Sequence, residues 1–178
     1  MSSPPSRAEN EAIDEAGRES FPASDAPAHH ANTQAFANPP DEALRELLVN
    51  TKTIAVVGAS SNPERTSRGI MQKLLSVGYR VIPVNPNETA VLGQKAYPSL
   101  AALAAQTTER IDIVNVFRRA EETPSIADEA VKIGAKALWL QQGITSELAA
   151  ARASAGGLTV VMDLCIGVMH SALRVPKQ

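Results

Sequence analysis

The sequence predicts an α/β fold: a single domain built on a parallel five-stranded sheet with helices on both faces. Three observations predict it. Short apolar runs at 53–59, 80–86, 111–117, 137–141 and 158–163 are separated by segments of helical periodicity. The runs are continuous rather than alternating, as in TIAVVGA and IDIVNVF, which is the pattern of strands covered on both faces. Strands and helices alternate along the chain, the order of a doubly wound, three-layer α/β/α sheet of the Rossmann-like kind.

Each element has its own local cause. The first helix starts at Pro40–Asp41, where proline suits the first turn and the acid suits the positive end of the helix dipole. Leu44, Leu47 and Leu48 share one face, and Asn50 stops it. A second helix over Ser67–Val77 turns Ile70, Met71, Leu74 and Leu75 inward and ends at Gly78. Ser99 caps a short Ala/Leu helix reaching Ala105. Thr123 is expected as the cap of the next helix, with Pro124 in its first turn and Gly134 closing it. Thr145 or Ser146 caps the last, which runs to Ala155 before Gly156–Gly157. The expected strand order is 3-2-1-4-5, with ligands at the carboxyl ends, in the switch between the first and fourth strands.

Residues 1–39 are rich in Pro, Ser, Ala, Asn and acids and poor in large apolar side chains, so they are expected to form a mobile tail ahead of a domain over 40–178. The tail contains an FPASD segment at Phe21–Asp25 and the pair His29–His30. With no cysteine or third histidine nearby, that pair predicts no metal site.

Composition excludes several function classes. Aromatics are 3% of the 178 residues, too few for a nucleic-acid surface that works by stacking. A net charge of −2 gives no global attraction to nucleic acid or anionic lipid, so any anion must be held by a local site. Cys165 is the single cysteine and cannot form an internal disulfide, which points to a reducing compartment. The N-terminus has no apolar core of a signal peptide, and no apolar run is long enough to span a bilayer. A cytoplasmic location is expected, with no membrane partner.

The ligand-side positions are those just after each strand: Gly58–Ala59–Ser60, Asn85–Pro86, Phe117–Arg118–Arg119 and Gln141–Gln142–Gly143. The first loop, GASSNPERTSRG, is not the three-glycine dinucleotide fingerprint, because after Gly58 the next glycine is Gly69. Gly58 still allows a tight turn and a close approach of pyrophosphate to the backbone. Ser60 adds a hydroxyl, and the helix start near Ser67 adds unpaired N–H groups. The second strand ends in Val84–Asn85–Pro86–Asn87, without the acid that grips the ribose 2′-OH of NAD. Arg118 and Arg119 follow the third strand, where guanidiniums would answer a phosphomonoester carrying about −1.5 to −2 charge.

These segments, VVGASSNPERTS, GYRVIPVNP, VLGQKAYPSL, DIVNVFRR, ALWLQQGI and VVMDLCIGVMH, in that order, resemble the stand-alone CoA-binding-domain proteins, themselves similar to the nucleotide-fold domain of the succinyl-CoA synthetase α subunit. The resemblance covers about Leu44 to Leu173. It implies coenzyme A on the turn Gly58–Ala59–Ser60, with further donors from Arg65, Ser67 and Arg68. It implies Asn85 and Pro86 beside the adenosine, and Phe117 and Arg118 along the cofactor. The pantetheine arm would run near Trp139, Gln141 and Gly143, although Trp139 also reads as plain core. Cys165 matches the family's cysteine, and Met169 stands where the family pattern has a polar or acidic residue.

The histidine-bearing second domain of that synthetase has no counterpart here, since the histidines are His29, His30 and His170. No acid–base pair lines the strand ends, and no catalytic residue is assigned. Cys165 reads as a small buried hydrophobe, or as a partner for mixed disulfide formation with the CoA thiol. The expected function is therefore non-catalytic binding of CoA or acyl-CoA, as a sensor, carrier or thiol-protecting protein. An NAD(P)-binding regulatory module or small oxidoreductase is the alternative. A homo-oligomer, or a partner subunit that borrows the CoA site, stays open.

Overall fold

The computed structural model describes residues 35–178, so the FPASD segment and the histidine pair lie outside the described residues. From Ala37 to Gln178 the chain forms one compact unit. Its elements in order are α1 (Asp41–Asn50), β1 (Thr53–Val57), α2 (Thr66–Ser76), β2 (Arg80–Val84), β3 (Ala90–Val91), β4 (Gln94–Lys95), α3 (Leu100–Gln106), β5 (Ile113–Val116), α4 (Thr123–Lys132), β6 (Ala137–Leu140), α5 (Glu147–Ala155), β7 (Thr159–Val161) and α6 (Ile166–Ala172). Among the described residues, no helix is long and apolar enough to cross a membrane.

The main sheet has five strands in the order β2-β1-β5-β6-β7, all parallel. This corrects the expected order. The third long strand, β5, crosses over to pair with β1, and β2 is left at the edge. Pro83 gives the physical reason. Within a strand, a residue's N–H and C=O point the same way, and the Pro83 carbonyl accepts from Tyr97 N–H at 3.0 Å on the outer side. The missing proline donor therefore faces away from β1, where it costs no ladder bond. The β3–β4 hairpin, turning at Leu92 (φ 50°) and Gly93 (φ 74°), was not expected. It brings Tyr97 alongside Val84 and covers that edge. The topological switch thus lies between β1 and β5, as it does in the flavodoxin-like order 2-1-3-4-5.

Alternation divides each strand between two cores. Ile54, Val56, Ile113, Ala137, Trp139 and Val161 pack with Leu44 and Leu48 of α1, Met71 and Leu74 of α2, and Ile166 of α6. Trp139 is wholly buried and donates its indole N–H to the Leu164 carbonyl at 2.7 Å, so it is a core residue. Val57 turns to the opposite face, toward Leu100 of α3 and Ile126 of α4. Helix α6 was also not expected. Its His170 packs edge-to-face on Tyr79 at 5.6 Å between ring centroids. Tyr79 is pushed up to about 12 by burial, and its hydroxyl donates to the Leu48 carbonyl.

Caps follow their local chemistry. Ser99 Oγ accepts from Ala102 N–H at 3.0 Å, and Ser146 Oγ from Ala149 N–H at 3.2 Å. Thr123 does not cap α4. A 3₁₀ turn, Ala120–Glu122, leads into that helix, and the buried Thr123 hydroxyl donates back to the Ala120 carbonyl at 2.7 Å. Ahead of α1, the Asn38 amide pairs with β7's continuation: Nδ2 donates to the Met162 carbonyl, and Oδ1 accepts from Met162 N–H, each at 2.8 Å.

Asp112 closes the amino end of the sheet. Its Oδ2 accepts from Lys52 N–H (2.8 Å) and Thr53 N–H (3.1 Å), and Oδ1 meets Lys136 Nζ at 2.7 Å. Burial alone would raise this carboxyl. The Lys136 and backbone bonds outweigh it and hold the group below its ordinary value. Asp112→Asn is expected to cost about 1–3 kcal/mol in urea unfolding at neutral pH. The unfolded chain takes up this proton first, so the contribution of Asp112 is present above the ordinary aspartate value of 3.8 and is lost as pH falls below it. The variant should therefore lose less stability than the parent in that acid window.

Gly58 closes the other end. It has φ 87°, and an added Cβ would lie 2.6 Å from the Phe117 carbonyl oxygen. Gly58→Ala is expected to destabilise by about 2–3 kcal/mol in the same measurement, through positive φ and the clash with backbone.

Candidate functional site

The carboxyl ends of β1, β2 and β5 converge around Gly58. Its N–H donates to the Val84 carbonyl, and Phe117 N–H donates to the Val57 carbonyl, each at 2.8 Å. Asn85 then ties the two loops together, with Nδ2 donating to the Ala59 carbonyl at 2.7 Å and Oδ1 accepting from Asn87 N–H at 3.0 Å. In the long loop, Ser60 Oγ accepts from Asn62 N–H at 3.2 Å, and Asn62 Oδ1 from Glu64 N–H at 2.9 Å. The loop is pre-shaped by these short-range bonds. Its far end is the start of α2, where unpaired amides and the positive end of the helix dipole face outward.

Two joined clefts open here. One, of about 460 Å³, is lined by Gly58, Ser60, Arg65, Thr66, Ser67, Asn85, Asn87, Glu88, Phe117 and Arg118. The other, of about 350 Å³, is bounded by Val57, Val84, Pro86, Pro98, Leu100 and Ile126, with Glu122 and Glu129 among its polar groups. Asn87 and Arg118 border both. Arg118 makes no ion pair among the described residues, so its guanidinium is available at the junction. Arg119 is turned outward and pairs with Glu122 at 3.5 Å. The arrangement offers one cleft of amides, hydroxyls and guanidiniums beside another that is half apolar. That combination suits an anionic ligand with a flat apolar portion.

The clefts bring together Gly58, Ser60, Arg65, Ser67, Asn85, Pro86, Phe117 and Arg118 from the sequence-derived set. The others lie elsewhere. Ala59 is wholly buried. Arg68 lies on α2 outside both linings. Gln141 is buried and donates to Asn115 Oδ1 at 2.7 Å. Gly143 N–H is taken by Asp163 Oδ1, also at 2.7 Å. Cys165 is half-buried just ahead of α6, with no hydrogen bond to His170 among the described residues. His170 is held below the ordinary histidine value by burial and then by Lys73. Neither residue borders the clefts.

Sequence reasoning missed Glu88 and so found no acid near the end of the second strand. The structure corrects this. Glu88 Oε1 accepts from Ser61 N–H at 2.8 Å and from Ser61 Oγ at 3.0 Å. Those bonds, the backbone one first, hold its carboxyl below the usual range. The signal was present as an acid in the turn after Asn85–Pro86, but it lies beyond the position inspected, because the Asn85-centred turn brings it back over the cleft.

Comparison with known proteins bears on what this site holds. Residues 52–171 match the family model described as a CoA binding domain. The chain is 42% identical over 137 residues to the uncharacterised protein YneT of Bacillus subtilis, covering 77% of this chain and 98% of that one. A structure of a hypothetical protein from Pyrococcus horikoshii superposes with a TM-score of 0.72 at 35% identity, covering 79% of this chain and 99% of the other. The α subunit of ADP-forming acetate–CoA ligase I from Pyrococcus furiosus is 30% identical over 97 residues, which are 51% of this chain but only 20% of that protein. A dinucleotide-forming acetyl-coenzyme A synthetase from Korarchaeum cryptofilum, in complex with phosphate and ADP, matches at 28% identity and TM-score 0.57, over 66% of this chain and 27% of its own. The match to the family model spans both clefts and every strand of the main sheet, and the chain belongs to the CoA-binding domain family.

Proposed function

We propose that this protein binds coenzyme A or an acyl-CoA in the two joined clefts without transforming it, as a sensor, carrier or thiol-protecting protein in a compartment that holds CoA. The observation that carries this reading is Arg118, a guanidinium that borders both clefts and makes no ion pair among the described residues. Gly58, Ser60 and Ser67 supply the groups for a pyrophosphate. Arg118 supplies charge for a third phosphate, and the surface of Val84, Pro86 and Leu100 supplies an apolar seat for adenosine. Membership of the CoA-binding domain family supports the ligand class. A second reading, an NAD-type nucleotide, is supported by Glu88, an acid on the cleft lining of the type that accepts from a ribose hydroxyl.

Thermal-shift titration with CoA, dephospho-CoA, NAD and NADP separates the two. The largest shift is expected with CoA and a smaller one with dephospho-CoA. An NAD shift equal to that of CoA would count against the CoA reading. Calorimetry on Arg118→Ala is expected to show CoA affinity lower by roughly tenfold, with the preference over dephospho-CoA largely lost, because one charge-assisted contact is worth about 1.5–3 kcal/mol before solvent screening.

A further inference from the structure

A cleft suited to phosphate already contains an anion of its own. Glu88 stands on the loop between β2 and β3 and borders the same cleft as Ser60, Arg65, Ser67 and Arg118. A single oxygen, Oε1, takes both the amide and the hydroxyl of Ser61. Ser61 directly follows the Gly58–Ser60 turn, and an amide with an adjacent hydroxyl is the kind of donor pair a phosphate oxygen would take. Ser61 itself is exposed and outside the lining of the cleft, so the carboxylate reaches from the cleft to the donors at its rim. It forms no ion pair among the described residues, with Arg65 and Arg118 included.

Two roles are compatible with an acid in a nucleotide cleft: gripping a ribose, or holding the phosphate loop in the ligand's absence. The bonds show the second directly, since Oε1 is engaged by the loop, and leave Oε2 for the first, which the test below separates. The neighbours Asn87 and Thr89 are exposed, and the turn is held separately by the Glu88 N–H bond to the Asn85 carbonyl at 3.3 Å. Rotation of the side chain alone can therefore free Ser61.

We propose that Glu88 is a specificity-determining residue: its carboxylate occupies the Ser61 donor pair until a ligand phosphate displaces it, and so ranks the anions that the cleft accepts. A simple inorganic anion gains little beyond the donors it takes over from Glu88. A ligand that also reaches Arg118 and the apolar cleft gains contacts which the carboxylate cannot match. This inference rests on the reading of the cleft as a phosphate site made under Proposed function.

The test is calorimetry on the full chain, its Glu88→Gln variant and its Glu88→Asp variant, with CoA and with inorganic pyrophosphate, at two salt concentrations. Glu88→Gln keeps an acceptor oxygen for Ser61 but removes the charge. It is expected to bind both ligands roughly two- to fivefold more tightly, the size expected of an exposed charge pair, with the larger proportional gain for pyrophosphate. The advantage should shrink as salt rises. Glu88→Asp, which keeps the charge, should stay near the parent. Unchanged CoA and pyrophosphate affinity in Glu88→Gln overturns the proposal, and weaker CoA binding overturns it in favour of a ribose grip. If the parent does not bind CoA but Glu88→Gln gains pyrophosphate affinity, the competitor role stands and the CoA reading falls. If no form binds either ligand, both fall. Should Glu88→Gln fold poorly, Glu88→Ala must give the same sign.

Discussion

The carboxyl ends of β1 and β5 meet through a residue that has no side chain. Gly58 holds a positive φ, and the Phe117 carbonyl fills the space where a Cβ would stand. Everything at this end of the sheet depends on that approach. It lets the long loop leave β1 beside the switch point, and it sets Phe117 and Arg118 against that loop rather than away from it. The two clefts then share Arg118 as a border. Any side chain at 58 would push β5's exit aside and separate the donors from the guanidinium.

The two ends of the sheet use polar groups in opposite ways. At the amino end, Asp112 binds two backbone amides and Lys136, and its charge is fully matched. At the carboxyl end, among the described residues, Arg118 makes no ion pair, no side chain caps α2, and Glu88 is held by neutral donors only. A matched, buried carboxylate gives stability and no binding capacity. Unmatched charges give the reverse, because a group that is already satisfied gains nothing from a ligand. The difference in saturation, more than the shape of either end, marks which one is suited to an anion.

Much of the fold was legible because burial on both faces imposes unbroken buried, mostly apolar runs such as Thr53–Val57 and Ile113–Val116. Strand order was less legible. Alternating elements allow several orders, and the residue that decides here, Pro83, acts by what its backbone lacks rather than by hydrophobicity. The β3–β4 hairpin escaped notice because its strands are two residues each and its turn is Leu92–Gly93, without the usual Asn or Asp. Helix α6 has few buried side chains beyond Ile166 and His170, too few for a clear periodic face. The residues immediately after β1, β2 and β5 line the clefts because topology alone places them there. For Gln141 the same rule does not say where the side chain points, and in the structure it turns back to Asn115. Glu88 was missed because a tight turn, not strand geometry, returns it to the mouth.

Each outer flank of the sheet is answered at its carboxyl end. Tyr97 bonds alongside β2, and the Asn38 amide answers the main chain of Met162 just past β7. Each substitutes a few polar atoms for a neighbouring strand. Addition of a foreign strand over these positions must first evict one of these plugs, which disfavours edge-to-edge zippering at the mouth of the sheet.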